Sequence, residues 1–333
     1  MTATIVQQAH GLAQAGRAAE ACDLLSRATE QGDAGPMLLL GLWLIEGSAV
    51  PRDLVAARSL LGRAAAAGQQ SAGRIEAALR ATGVGAPADW PGAMAMLDLW
   101  ADRDPLAARQ RSLIAAMDLD EAGDPRSLPR REPLSDTPSV TRAEALFDNA
   151  ECALLIDLAA GRFKPARIFH EGEQRFQIDP VRDSESAAFP LIFETPFVHA
   201  LNRRIARLTD SASAQGEPLQ LLRYAPGQQY RLHVDAVPGL SNQRVMTVLV
   251  YLNDDYDGGA TSFPDLGISH RGRRGDALIF TNILPNGAPD PAARHRGEPI
   301  TRGTKIVASR WIRRAPPPPG ESFGPHEAEP GGA

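Results

Sequence analysis

Leu219-Gln-Leu-Leu-Arg-Tyr224-Ala-Pro-Gly-Gln-Gln-Tyr230-Arg-Leu-His233-Val-Asp235 is the stretch on which the reading of this chain turns. Its Leu219–Tyr224 portion is an apolar and aromatic run of strand length. At its far end His233 and Asp235 flank Val234. Residues i and i+2 of a strand face one side, so the imidazole and the carboxylate point into one cavity if this segment is a strand. Two ligands on one strand bind a metal only weakly, so a third must come from elsewhere. Of the seven histidines only His233 has an acidic residue at i+2. His295 lies 62 residues on, far enough for several strands to return the chain to the same cavity. A mixed imidazole and carboxylate set without thiolate suits iron(II), and less decisively manganese, cobalt or zinc.

The surrounding sequence has the same texture. Runs rich in β-branched and aromatic residues recur at Val245–Leu252, Ala277–Thr281 and Lys305–Ile312. Turn signals such as Asp257-Gly258-Gly259 and Pro285-Asn286-Gly287 separate them. Gly258 and Gly259 read as turn residues with no chemistry of their own. Two helical stretches precede the runs, Arg142 to Ala160 and Phe197 to Leu208. Short strands with regular turns argue a sandwich or jelly roll over residues 141–314. Residues 119–140 are polar, with prolines at 125, 129, 133 and 138, and read as a linker or surface wrap. Residues 315–333 open on Pro316 to Pro319, are rich in Gly and Glu, and read as a disordered tail.

Residues 1–118 read as helix and repeat. Ala21, Leu24, Leu25, Ala28 and Gly32 recur 36 residues later as Ala57, Leu60, Leu61, Ala64 and Gly68. A weaker third copy has Ala93, Met96 and Leu97, with Trp100 and Asp104 in place of alanine and glycine. Each copy spaces its apolar residues as one face of a helix, and the period implies about three stacked hairpins. The unit from Leu38 through Gly47 and Asp53 to Gly68 resembles a Sel1-like repeat, a relative of the tetratricopeptide repeat. That resemblance implies a scaffold that takes a peptide or protein on its concave face. The competing expectation is a short solenoid that only braces its neighbour. The fold class is therefore α+β and multidomain: a helical repeat, then a jelly roll with flanking helices.

A formal net charge of −5 argues against a nucleic-acid or anionic-membrane partner. Cys22 and Cys152 lie far apart, which excludes a disulfide framework. The start Met-Thr-Ala-Thr-Ile-Val-Gln-Gln lacks a basic segment and a long apolar run, so no secretory signal is expected. The longest apolar stretch, Met37 to Ile45, is too short to span a bilayer. The expected location is the cytoplasm. Of the 35 basic residues only Lys164 and Lys305 are lysine.

Residues 141–313 resemble the prolyl 4-hydroxylase-like branch of the iron(II)- and 2-oxoglutarate-dependent dioxygenases. The blocks that carry the resemblance run in order. They are Phe147-Asp-Asn-Ala-Glu-Cys152, Val181-Arg-Asp-Ser184, Leu219 to Asp235, and Arg244-Val-Met-Thr-Val-Leu-Val-Tyr-Leu-Asn253. Gly258-Gly-Ala-Thr-Ser-Phe-Pro264, Arg274-Gly-Asp-Ala-Leu-Ile-Phe280, and His295 through Lys305 to Trp311 follow. The resemblance implies a double-stranded β-helix in which His233, Asp235 and His295 ligate iron. It implies that Lys305, ten residues after His295, pairs with the far carboxylate of 2-oxoglutarate. A compact ammonium kept in an arginine-dominated chain fits that task, since a guanidinium is not interchangeable with it in a narrow pocket. Tyr224 and Thr261 are implied hydroxyl donors beside Lys305, and Tyr230 lines the same cavity. Asn253 and Trp311 match family positions.

The implied cofactors are iron(II), 2-oxoglutarate and dioxygen, with ascorbate as a reductant. The implied reaction is hydroxylation of a prolyl or other residue in a peptide or protein, with release of succinate and carbon dioxide. A free amino acid or other small molecule is the alternative substrate, and an inactive barrel on a repeat scaffold the alternative role. Halogenation is disfavoured, because Asp235 fills the position a halide would need. Ala260 stands where the family commonly has Glu, and Met246 replaces a small residue. Both are expected near the rim where substrates sit.

Overall fold

The computed structural model describes residues 2–317 apart from 167, 171–174, 178–182 and 238. Val181, Arg182 and all but the first three residues of the expected tail therefore lie outside the described residues. The chain forms two compact units. Among the described residues, one comprises the chain up to Asp124 together with Leu191–Ala200, and the other comprises Pro125–Pro190 and the chain from Leu201 to residue 317.

The first unit is helical. Its helices are α1 (Thr2–Gln14), α2 (Ala18–Glu30), α3 (Ala34–Glu46), α4 (Leu54–Ala66), α5 (Gln70–Thr82), α6 (Trp90–Trp100) and α7 (Pro105–Ala116). The repeated small residues Ala21, Ala57, Ala64 and Ala93 are fully buried, which lets consecutive helices approach closely. α3 and α5 each end on a left-handed glycine, Gly47 and Gly83. The helices that follow start on aspartates whose side chains accept backbone N–H groups: Asp53 from Val55 and Ala56, and Asp89 from Gly92. Asp104 caps α7 in the same way. The third copy's departure from small residues is accommodated locally, because the Trp100 ring lies directly on Gly73. Among the described residues no helix is long and apolar enough to cross a membrane. Cys22 and Cys152 are free thiols.

The remaining elements, in chain order, are β1 (Arg131–Asp136), β2 (Ser139–Ala143), α8 (Asn149–Ala159), β3 (Lys164–Pro165), β4 (Ile168–His170), β5 (Arg175–Gln177), β6 (Glu185–Ala188) and α9 (Pro196–Leu208). They continue with β7 (Gln220–Tyr224), β8 (Tyr230–His233), β9 (Arg244–Tyr251), β10 (Asp257–Gly258), β11 (Thr261–Phe263) and β12 (Ile268–His270). The last are β13 (Ala277–Thr281), β14 (His295–Gly297), β15 (Ile300–Arg302) and β16 (Lys305–Arg313). An eight-stranded sheet has the order β1-β2-β13-β9-β16-β7-β6-β3, and a four-stranded sheet the order β12-β11-β14-β8. Two short pairs, β10-β15 and β4-β5, complete the set. Every pairing is antiparallel. Phe263 of the smaller sheet is buried against Val140, Tyr251, Leu278 and Phe280 of the larger one, so the sheets face each other across an apolar core. This antiparallel two-sheet domain is consistent with a jelly roll.

Two sequence expectations need correction. The helix expected from Arg142 begins only at Asn149, where Asp148 and Glu151 form a capping box, and Arg142 belongs to β2. The β-branched Val140 and Thr141, both buried, favour the strand. The expected linker 119–140 contains β1 and the start of β2, a hairpin hydrogen-bonded to β13. Pro133 is tolerated there because β1 is the sheet edge, with an irregular register between Pro133 and Ser135.

Candidate active site

β8 and β14 pair so that His233 stands directly opposite His295, with ring centroids 4.2 Å apart. β8 ends at His233, so strand alternation alone does not place Asp235. The bend that follows returns its carboxylate to the histidines. His233 Nε2 lies 3.5 Å from Asp235 Oδ1, and His295 Nε2 lies 3.7 Å from Asp235 Oδ2. One ligand atom from each of the three residues lies within 4.8 Å of the others, a spacing that could hold one metal ion.

The protonation pattern fits a metal. His233 Nδ1 contacts Arg231 O at 2.8 Å, and His295 Nδ1 contacts Ala293 O at 3.1 Å. A carbonyl only accepts, so each Nδ1 carries the proton and each Nε2 keeps its lone pair for the centre of the cluster. Burial, helped by neighbouring His233 and opposed by the charge of Asp235, pushes His295 down to about 4. Burial alone would raise Asp235, but the two imidazoles and the Thr247 hydroxyl, donating to Oδ2 at 2.6 Å, hold it well below the usual carboxylate range. Two imidazoles that turn Nε2 inward and one carboxylate are a donor set suited to iron(II).

Lys305 opens β16 opposite Tyr224 of β7 and is 4% exposed. Its Nζ donates to Gly259 O at 2.7 Å. Burial, with the nearby Arg271 adding to it, pushes its pKa down to about 7, and no carboxylate among the described residues opposes the shift. Among the described residues this buried ammonium has no counter-charge, which an anionic ligand would supply. Gly259 is thus more than a turn residue. Its carbonyl holds the ammonium, its φ is +65°, and a Cβ there would run into Ile300. The Tyr251 hydroxyl donates to Thr261 Oγ1 at 3.1 Å, and Lys305 Nζ lies 5.2 Å from the Tyr251 ring centroid and 6.0 Å from that of Tyr224.

The seven residues that the sequence offers as metal ligands or co-substrate contacts (Tyr224, Tyr230, His233, Asp235, Thr261, His295 and Lys305) line one cavity of about 530 Å³, counted out to its open mouth. The Tyr230 ring stacks on His233 at 3.5 Å. Trp311 also lines the cavity, with Arg244 3.6 Å over its ring, and its buried Nε1 has no hydrogen-bond partner among the described residues. Asn253 has a structural task. It donates to Asp255 and Thr304 O and accepts from Ile306 N, which fixes the chain on either side of Lys305. Ala260 and Met246 do not line the cavity, and Met246 lies within the large sheet between Thr281 and Ile312.

The sequence reading missed Thr247, Leu249 and Tyr251 as site residues, although a signal existed. They alternate along β9 and present one face. Thr247 reaches Asp235, Leu249 lines the cavity, and Tyr251 lies beside Lys305. Lys305, Val307, Ser309 and Trp311 line the cavity from β16 with the same period.

Residues 219–313 match the family described as the 2OG-Fe(II) oxygenase superfamily. Probable prolyl 4-hydroxylase 4 of Arabidopsis thaliana is 30% identical over 205 residues, which cover 54% of this chain and 68% of that protein. Prolyl 4-hydroxylase subunit alpha-1 of Homo sapiens is 32% identical over 187 residues, 53% of this chain and 35% of that protein. Among solved structures, the 2OG complex of the viral collagen prolyl hydroxylase from Paramecium Bursaria Chlorella virus-1 aligns with a TM-score of 0.43 at 24% identity, over 55% of this chain and 99% of that chain.

Proposed function

Because the chain belongs to the 2OG-Fe(II) oxygenase superfamily, on its prolyl 4-hydroxylase-like branch, we propose that its site hydroxylates a prolyl residue of a peptide or protein. The enzyme is a 2-oxoglutarate-dependent dioxygenase that uses iron(II), 2-oxoglutarate and dioxygen. The observation that carries the assignment of residues is the buried Lys305 ammonium, without a carboxylate partner among the described residues, in the same cavity as the His233, Asp235 and His295 cluster.

In this reading His233, Asp235 and His295 hold the iron. Once bound, iron supplies the oxidative decarboxylation of 2-oxoglutarate to succinate and carbon dioxide, coupled to hydroxylation of the substrate. Lys305 pairs with the remote carboxylate of 2-oxoglutarate and fixes which end of the diacid faces the cluster. Thr261, relieved of donating to Tyr251 by that tyrosine's own hydroxyl, keeps its proton for the same carboxylate, and Tyr224 is placed to assist. Tyr230 fixes the plane of His233 by stacking on it. Leu222, Leu249, Ile300 and Val307 give the cavity an apolar wall that excludes water. The indole of Trp311 gives the cavity a flat apolar surface for a pyrrolidine ring.

The helical unit is assigned to the Sel1-like repeats. The support is the recurrence, in two hairpins, of a left-handed glycine followed by an aspartate cap. Its task in this reading is to recruit the protein substrate.

The test is succinate release from 2-oxoglutarate with and without added iron, together with mass spectrometry of a peptide library for products that gain one oxygen. His233→Ala and Asp235→Ala are expected to abolish iron binding and succinate formation together. Turnover of free proline with no peptide product would sink the peptide assignment and leave the reaction class standing.

A further inference from the structure

We propose that Thr247 and Asn282 form a buried relay that occupies one oxygen of Asp235, so that this carboxylate offers a metal a single oxygen. The inference rests on His233, Asp235 and His295 being the metal ligands. Thr247 and Asn282 are each 1% exposed. Thr247 Oγ1 donates to Asp235 Oδ2 at 2.6 Å, and Asn282 Nδ2 donates to Thr247 Oγ1 at 2.9 Å. A hydroxyl has a single proton. Asn282 supplies an N–H to the threonine oxygen, so the threonine proton is left to point at the carboxylate. The other oxygen within reach, Asn282 Oδ1, is farther away at 3.4 Å. A hydroxyl on an ionised carboxylate at this separation makes a charge-assisted bond, stronger than a neutral one.

The relay is itself fixed. Asn282 N donates to Val245 O at 3.0 Å, and Asp290 N donates to Asn282 O at 3.0 Å. Thr247 sits in β9 opposite Phe280 of β13, in the large sheet, whereas His233 and His295 belong to the small one. The carboxylate is therefore oriented from the sheet opposite the histidines.

The consequence is a count of coordination positions. An octahedral ion held by two imidazoles and one carboxylate oxygen keeps one face open. A chelating keto acid fills all but one position of that face. If Asp235 bound through both oxygens, that last position would close. Thr247 and Asn282 are thus positioning residues: they touch neither substrate nor metal, and they keep one position free.

The test uses the full-length protein loaded with Mn(II), with 2-oxoglutarate added under argon. Water-proton relaxation reports whether an exchangeable water still reaches the metal. Wild type is expected to keep an inner-sphere enhancement. Thr247→Val, close in shape but without a hydroxyl, is expected to lose at least half of it. Thr247→Ser should retain it, and Asn282→Ala should fall between. Should Thr247→Val not fold, the contrast of Asn282→Ala with Thr247→Ser decides instead. Equal enhancement in wild type, Thr247→Val and Asn282→Ala overturns the relay, and so does an equal loss in Thr247→Ser and Thr247→Val, which would trace the effect to packing. If His233→Ala leaves Mn(II) binding unchanged, the ligand assignment itself is overturned, an outcome distinct from either of these.

Discussion

Lys305 carries more of the chemistry than its single charge suggests, because it is held in an environment that opposes that charge. Its pKa in the folded chain, about 7, lies below the ~10.4 of an unfolded lysine. Between those values the unfolded chain binds the extra proton, so burial of Lys305 costs stability at low pH and the cost disappears as pH rises through that window. Ligand binding has the opposite sign. A carboxylate beside Nζ favours the ammonium, so above pH ~7 binding must take up a proton. The Kd for 2-oxoglutarate of the Co(II)-loaded protein should therefore be flat up to about pH 7 and then rise by up to ~tenfold per unit. Calorimetry across that range checks this, and in Lys305→Met the slope should vanish while affinity drops by about 2–5 kcal/mol. A flat profile in wild type would mean that Lys305 does not meet the carboxylate. Lys305 was legible in the sequence through its isolation among arginines and its spacing from His295. The carbonyl that holds it, Gly259 O, was not, because a backbone oxygen leaves no mark in residue identity.

Elements show the same division between pattern and packing. The strand runs from Leu219 to Ile312 were legible because apolar and aromatic residues cluster between turn signals. β1 was not: Arg131–Asp136 is short and polar, carries Pro133, and gains its identity only from β2. In the helical unit, Gly11 in α1 and Gly73 in α5 look alike in sequence, since each is a glycine inside a helix. In the structure a Cβ at Gly11 meets nothing within 4 Å, whereas at Gly73 it would run into the Trp100 ring. Opposite outcomes follow. Gly11→Ala should stabilise the protein by about 0.5–1 kcal/mol, the helix-propensity difference. Gly73→Ala gains the same propensity but overpacks a rigid ring at a cost of about 1–3 kcal/mol, so it should be destabilising. Thermal melts followed by circular dichroism separate the two. A rise in midpoint for Gly73→Ala would show that Trp100 moves aside freely.

At the scale of the molecule, each unit has its own apolar core. In the helical unit Leu61, Leu79, Met37 and Ile45 form one buried cluster and Leu25, Leu39, Leu40 and Trp43 another. In the β unit Tyr251, Phe263, Leu278 and Phe280 form one, and Tyr224, Tyr256, Ile300 and Val307 another. Composition alone suggests a single cut between helical and β sequence, yet Leu191 and Ile192, far along the chain, pack on the helical cluster. A ten-residue excursion has no compositional signature, so only the folded chain reveals it. Units with separate cores are expected to unfold as separate cooperative blocks. The candidate ligands and Lys305 all belong to the β unit, so metal and 2-oxoglutarate should stabilise that block alone. At about 100 times Kd the gain is about 2.7 kcal/mol, a shift of roughly 5–10 °C for a block of this size. Scanning calorimetry should therefore resolve two transitions, of which one moves when Co(II) and 2-oxoglutarate are added. In Asp235→Ala neither should move. A single transition that shifts as a whole would mean instead that the helical unit unfolds together with the catalytic one, and that ligand binding in the cavity is felt along the entire chain.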